Sequence, residues 1–304
     1  MGKIWKYFGK ANILKPRVIA HRGASGDRPE NTLAAFELGL QQGADGIEFD
    51  VVNTADSALV IRHENALSGT TDVNKRNEFA NLRRSGVVEE REISDWFTED
   101  LSLEQVKALR AVERMPDIRP GSAKFDSEFE IPTLREIFDS SFIEGKILVV
   151  ELKRGTHLSV LKRTIGELTA NEIVDSNVLS KSVSLVVESF DLEILLDAKK
   201  QFEEKGILAL YFFAIDSTKI VDVDLVQLAK EFDGLSIATH MLLSTDTWVE
   251  SCHELGLEVW VYTARAENAT TTIEAYYEEL IQTGVDGIFA DQPDLLRRVL
   301  DERG

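Results

Sequence analysis

Short runs of apolar, β-branched residues alternate along this chain with longer segments of helical periodicity, and that alternation limits its possible folds more than any other feature. Strand signals fall at Val18–Ala20, Gly46–Val51, Ile147–Leu152, Leu185–Ser189, Leu208–Phe213, Gly234–Ala238, Glu258–Tyr262 and Gly287–Ala290. Helical patterns lie between them, at Thr32–Gln42, Leu158–Glu167, Leu192–Lys205, Val223–Phe232, Thr245–Leu255 and Ala269–Thr283. Gly43, Gly206, Gly256 and Gly284 each stand just before a strand, where the C-terminal glycine of a helix belongs. Eight such strands in 304 residues predict an α/β protein, a closed (β/α)8 TIM barrel, with an open doubly wound sheet as the alternative.

One stretch breaks the rhythm. From about 64 to 130 no βα unit is legible, only charged and turn residues with a helical piece near Leu103–Val112. Order resumes at Ile131-Pro132-Thr133-Leu134, where Thr133 is placed to start a helix over Leu134–Asp139. In a single barrel domain spanning 1–304 this stretch is an insertion. It is expected on the C-terminal face, where long connections shape substrate entry, and a solvated loop without function is the plainer alternative.

Composition excludes several function classes. Hydrophobic residues make up 43%, enough for a large core, yet no run approaches the ~20 apolar residues that span a bilayer. Met1 to Lys15 mixes Trp5, Tyr7 and Phe8 with lysines and lacks the apolar segment and cleavage site of a secretory signal. A cytoplasmic protein is the simpler expectation, an exported one whose leader is missing here the alternative. A net charge of −19 repels nucleic-acid phosphates and anionic lipid, so neither nucleic acid nor stable membrane insertion is expected. An anionic ligand would need positive charge concentrated at its site. The single cysteine, Cys252, excludes an internal disulfide; with His253 it sits on one helix, where adjacent side chains diverge, so the pair reads as structural.

The strand ends carry the chemistry. In such a barrel active sites gather at the C-terminal ends of the strands. The first strand ends in His21-Arg22-Gly23. In the second, Glu48 and Asp50 share one face of an otherwise apolar strand, and in the third Glu151 and Lys153 do the same. Any one of these acids alone would be an ordinary solvated strand end. Three carboxylates converging on one barrel mouth would repel unless a hard divalent cation, Mg²⁺, Ca²⁺ or Mn²⁺, lay between them. Arg22 and Lys153 supply the local positive charge that a phosphate would need. His21 and His63, the latter after the apolar run Leu59-Val60-Ile61, offer an acid and a base at neutral pH. A lone histidine is more often structural, and His157, His240 and His253 are read so.

With these residues named, a family resemblance emerges. Val18-Ile19-Ala20-His21-Arg22-Gly23, Glu30-Asn31-Thr32 and Gly43-Ala44-Asp45-Gly46-Ile47-Glu48-Phe49-Asp50-Val51 resemble the opening signature of the glycerophosphodiester phosphodiesterase family. Glu151-Leu152-Lys153, Ser189-Phe190, Val259-Trp260-Val261-Tyr262-Thr263 and Val285-Asp286-Gly287-Ile288-Phe289-Ala290-Asp291-Gln292-Pro293-Asp294 continue it in order. Thr70-Thr71-Asp72-Val73 within the insertion resembles the longer members. The resemblance implies a barrel with a divalent metal on Glu48, Asp50 and Glu151 and a histidine pair, His21 and His63. It also implies phosphate contacts from Arg22 and Lys153, with Trp260 against the glycerol or alcohol portion. The implied activity is hydrolysis of a small-molecule glycerophosphodiester, such as glycerophosphocholine, to glycerol 3-phosphate and an alcohol. Two positions depart from the family pattern. Glu64 follows His63 where the family has Asp, and Glu188 precedes Ser189 where it has Gln; Glu188 is expected to point away from the site. The rival readings are a sphingomyelinase D-like phospholipase on the same scaffold and a non-catalytic barrel that binds a phosphorylated ligand. The first is disfavoured by the acidic charge, the second by the intact set of acids and histidines. Oligomeric state has no signal.

Overall fold

The strand signals all become strands, because β-branched and aromatic side chains pack well on a pleated surface buried on both faces. The computed structural model describes residues 15–88, 91–153, 164–215, 223–244 and 247–303. Its strands are β1 (Arg17–His21), β2 (Gly46–Asn53), β3 (Leu59–Ile61), β4 (Arg84–Val88), β5 (Arg91–Asp95), β6 (Ile147–Leu152), β7 (Ser184–Ser189), β8 (Leu210–Ile215), β9 (Gly234–Ala238), β10 (Glu258–Ala264) and β11 (Gly287–Ala290). Eight of them run parallel in the order β1-β2-β6-β7-β8-β9-β10-β11. Because β1 pairs with both β2 and β11, the sheet closes into a (β/α)8 TIM barrel and is not an open sheet. The expected strand at Leu208–Phe213 lies two residues later: Leu208 is 68% exposed, and the ladder begins only where side chains reach the core.

Period-two alternation sorts the barrel interior into levels. At the N-terminal end Arg17 pairs with Glu258, Nη1 to Oε2 2.9 Å. Above it Ile19, Val149, Val186, Phe212, Trp260 and Phe289 form an apolar plug, with Phe212 and Trp260 ring centroids 4.8 Å apart. Two residues further along the same strands come His21, Glu151, Glu188 and Tyr262, which line a cavity at the C-terminal mouth. The plug closes the barrel beneath the site, so the acids and histidines above it are shielded from water on one side.

Helices cover the outside and mostly begin at side-chain caps. Thr32 caps Leu33–Gln41, Asp191 caps Leu192–Glu204, and Thr133 with Glu136 forms a capping box at Leu134–Asp139. Gly43, Gly206, Gly256 and Gly284 all take positive φ at helix ends, as their positions predict. A helix at Ile165–Asp175 starts where Thr164 accepts from Glu167 N and overlaps the end of the expected Leu158–Glu167; residues 158–163 lie outside the described set, as do His157 and the start of the 245–255 pattern. Thr164-Ile165-Gly166-Glu167 has the spacing of a start signal, and Thr164 acts as the cap. No described helix is long and apolar enough to cross a membrane.

The insertion is ordered where described. β3 turns back antiparallel on β2, pairing Val51 with Ile61, and so returns the chain toward the C-terminal face. Beyond it come the β4–β5 pair, unforeseen because charge interrupts its alternation, and a helix at Leu103–Ala108 that packs Val106 into an apolar cluster of the insertion's own. Val60, Leu67, Val73, Trp96, Leu101 and Leu109 are among its members. A buried cluster of this kind excludes a solvated loop.

Candidate active site

The mouth of the barrel is built by sharp turns at strand ends. After β1 the chain turns at Arg22 and Gly23, with φ of 55° and 82°. Gly23 is required there: a Cβ would lie 2.4 Å from the carbonyl carbon of Ala35, against the helix that follows. This turn puts the Arg22 backbone N–H on Glu48, donating to Oε2 at 2.8 Å, and swings its guanidinium to Glu30, Nη1 to Oε1 3.1 Å. Asn31, also in the left-handed region at φ 58°, donates from Nδ2 to Asp50 Oδ2 at 2.8 Å. The Glu30-Asn31-Thr32 run thus orients Arg22, orients Asp50 and caps a helix, in that order.

Glu48, Asp50 and Glu151 meet at one point, with one oxygen from each within 4.8 Å of the others. Burial first, then repulsion from Asp50 and Glu151, raises Glu48 well above its ordinary value. Burial pushes Glu151 up to about 7 against the pull of Lys153. Lys153 Nζ sits 2.9 Å from Asp50 Oδ1 and against Glu151 Oε1. Glu48 Oε1 is buried and has no hydrogen-bond partner, whereas Asp50 Oδ1 and Glu151 Oε1 share the one Lys153 ammonium. Three buried, mutually repelling carboxylates, one with an oxygen that has no partner, fit a metal ion, and as oxygen donors they suit a hard one.

The two candidate histidines reach the same cavity, each backed by a carboxylate. His21 Nδ1 lies 2.6 Å from Asp291 Oδ1 at the end of β11, and His63 Nδ1 lies 2.7 Å from Glu64 Oε1. Burial opposes ionisation of Asp291 and Glu64, yet their hydrogen bonds and neighbouring cations hold both well below the usual range. An ionised carboxylate only accepts, so each histidine donates from Nδ1 and leaves Nε2 for a ligand. Burial and the charges of Arg22 and Lys153 bring His63 down to about 4, and burial with Arg22 lowers His21. Both rings are therefore neutral near pH 7, the state in which Nε2 accepts a proton. Residue Glu64, one methylene longer than the family's Asp, keeps the orienting contact.

Three expectations need correction. Trp260 does not line the cavity; it is 1% exposed in the apolar plug, its Nε1 donating to Glu258 Oε2 at 2.9 Å. Tyr262, two residues on and facing the same way, lines the cavity in its place, ring to ring with Phe190 at 5.4 Å. Replacing Trp260 with Ala is therefore expected to cost ~3–5 kcal/mol of stability, seen as a lowered denaturant midpoint. A raised KM at unchanged stability would return Trp260 to substrate contact. Glu188 does not point away either. It pairs in register with Glu151, neighbours in a parallel ladder share a face, and burial followed by Glu151 pushes it up to about 8. His240, read as structural, also lines the cavity, on the short helix Thr239–Leu242. His253, bonded through Nε2 to Asp286 at 2.8 Å, is structural as expected.

The cavity has a volume of about 310 Å³ and is bordered by Arg22, Thr263, Arg265 and Asn268 besides the groups already named. Two arginines of the insertion approach from above. Arg114 bridges Glu30 and Glu64, and Arg119 holds Asp291. No strand pattern reveals them, since they lie in a stretch with no period.

Comparison with known proteins agrees with this geometry. The Glycerophosphoryl diester phosphodiesterase family matches residues 21–295. A glycerophosphodiester phosphodiesterase of Caldanaerobacter subterraneus subsp. tengcongensis is 30% identical over 96% of this chain and 100% of its own. A phosphodiesterase of Oleispira antarctica, solved with the product sn-glycerol-3-phosphate, superposes with a TM-score of 0.67 at 27% identity, covering 94% of this chain and 97% of that one. A further structure from Silicibacter pomeroyi shares the fold with a TM-score of 0.70 at 24% identity, over 95% of this chain and 94% of its own.

Proposed function

The chain belongs to the glycerophosphoryl diester phosphodiesterase family and is a phosphoric diester hydrolase, and from that premise we propose that it hydrolyses glycerophosphodiesters such as glycerophosphocholine to glycerol 3-phosphate and an alcohol by metal-assisted acid–base chemistry. The observation that carries this reading is a cavity lined by Glu48, Glu151, Arg22 and two carboxylate-backed histidines, with Asp50 and Lys153 packed against those two acids.

Glu48, Asp50 and Glu151 would hold a divalent cation, Mg²⁺, Ca²⁺ or Mn²⁺, which when bound draws electron density from the phosphoryl oxygens and offsets the charge that builds on them. Arg22 and Lys153 bind the phosphate, concentrating positive charge where the surface as a whole is acidic. Glu30 holds the Arg22 fork in place, through Nη1 to both carboxylate oxygens at 3.1 and 3.2 Å. Of His21 and His63, one takes the proton of the attacking hydroxyl at Nε2, and the other, in its imidazolium form with the phosphodiester anion bound against it, gives its Nε2 proton to the leaving alcohol oxygen and returns to the neutral ring. The attacking group is water or a hydroxyl of the glycerol itself. Tyr262 and Phe190 wall the cavity beside the phosphate site and exclude water from one side.

The test is glycerol 3-phosphate release from soluble glycerophosphocholine, set against lipid vesicles at equal phosphodiester concentration. Turnover of the soluble diester at least tenfold above that of vesicles is expected; the reverse preference would point to the phospholipase reading. Phosphate binding without turnover of any glycerophosphodiester would point to a binding barrel.

A further inference from the structure

The insertion contributes two side chains to the histidine-backing network, and they come from one short, stiff stretch. In Arg114-Met115-Pro116-Asp117-Ile118-Arg119-Pro120 two prolines fix φ, and Ile118 and Arg119 donate their backbone N–H groups to Met115 O at 3.0 and 2.8 Å. Glu113, just before, ties the turn down by accepting from Met115 N at 2.9 Å and from the Ser122 hydroxyl. The two guanidinium groups leave this turn toward different strands of the barrel.

Arg114 donates from Nη1 to Glu64 Oε1 at 2.7 Å and from Nη2 to Glu64 Oε2 at 2.9 Å, a two-pronged grip. Its Nε and Nη2 also reach Glu30 Oε2 and Oε1, each at 2.7 Å. Arg119, with only 5% of its side chain exposed, donates from Nη2 to Asp291 Oδ2 at 2.5 Å, from Nη1 to Ser25 O at 3.1 Å and from Nε to Glu267 Oε1 at 2.6 Å. Glu64 backs His63 and Asp291 backs His21. Each arginine thus grips the carboxylate that orients one histidine, without touching the histidine.

We infer that Arg114 and Arg119 are positioning residues: the insertion uses them to lock the carboxylates of Glu64 and Asp291, and through them the rings of His63 and His21. This rests on the reading of those histidines as the acid–base pair. The grip is not symmetric. Asp291 Oδ2 also accepts from Arg265 Nε at 2.9 Å, whereas Glu64, on a longer and more flexible arm, is held by Arg114 and His63. Arg114 also holds Glu30 and so steadies Arg22. Loss of Arg114 is therefore expected to be the costlier, lowering kcat with some rise in KM, while loss of Arg119 lowers kcat alone. Groups that orient a site's ligands from behind typically cost ~10- to 100-fold when removed.

The experiment is a crossed pair of double-mutant cycles on the full chain with its metal, following glycerophosphocholine hydrolysis. Arg114→Ala and Arg119→Ala are each placed in the wild type, in Glu64→Ala and in Asp291→Ala. The expected result is selective coupling. The kcat loss from Arg114→Ala shrinks to within about threefold in Glu64→Ala but persists in Asp291→Ala, and Arg119→Ala shows the opposite pattern. Equal losses in both backgrounds, or no kcat loss from either arginine, would overturn the proposal. Should Arg119→Ala fail to fold, Arg119→Lys keeps the charge and loses the fork. It must then recover only part of kcat, coupled to Asp291 alone, and wild-type kcat would count against the grip. His21→Ala and His63→Ala are run alongside. Near-normal turnover there sinks the histidine reading itself, while inactive histidine variants with uncoupled arginines sink only the positioning role.

Discussion

A His21→Ala variant should lose ~10²- to 10⁴-fold in kcat while unfolding within a few degrees of the wild type. The first half follows from the ring's place: Nδ1 is committed to Asp291, so Nε2 is the nitrogen presented to the cavity, 3.5 Å from Thr263 Oγ1 and 4.0 Å from Glu48 Oε2. A neutral ring lowered below its ordinary pKa is ready to accept a proton at pH 7. The second half follows from what remains after truncation. Asp291 keeps Arg119 and Arg265 as partners, so no buried charge is stranded. Kinetics on glycerophosphocholine beside thermal unfolding separates the two halves. Near-normal turnover would remove His21 from the chemistry, and collapse of the fold would make it structural.

Stripping the metal should abolish measurable turnover, and Glu48→Ala should prevent its restoration by Mg²⁺, Ca²⁺ or Mn²⁺. The same variant carries an opposite expectation for stability. Glu48 is forced above its ordinary pKa by burial and by Asp50 and Glu151, so in metal-free protein its removal relieves repulsion, which offsets the loss of the Arg22 N–H's acceptor and should leave the unfolding midpoint little changed. Adding metal, in contrast, should stabilise only the wild type, by ~2.7 kcal/mol at a concentration one hundred times the dissociation constant. Equal metal-induced stabilisation of the wild type and Glu48→Ala would take that carboxylate out of the ligand set. A turnover that survives chelation would remove the metal from the reaction.

His63, Glu188 and Trp260 show how unevenly the site could be read from the chain alone. Nε2 of His63 reaches the cavity because β3 folds back on β2, a turn that the short run Leu59-Val60-Ile61 already suggested. Glu188 was misplaced because a parity count along one strand has no absolute origin. Only pairing with Glu151 across the β6–β7 ladder decides which face looks inward. Trp260 was misplaced along the other axis. It has the right parity but stands one level too deep, in the plug with Phe212 and Phe289.

Closure into a barrel came from β1 pairing with both β2 and β11, while the sequence by itself determined the βα alternation, the eight strands within two residues, and the set of acids, cations and histidines at their ends. These follow from local rules, a strand period of two, a helical period and caps, and every strand obeys them independently of its neighbours. Tertiary structure alone decided the depth of each side chain in the barrel, the pairing of His21 with Asp291, and the reach of Arg114 and Arg119 over the mouth. Those depend on register between strands and on an insertion with its own core, and contacts such as Arg119 to Asp291, 172 residues apart, leave no periodic trace in the chain that makes them.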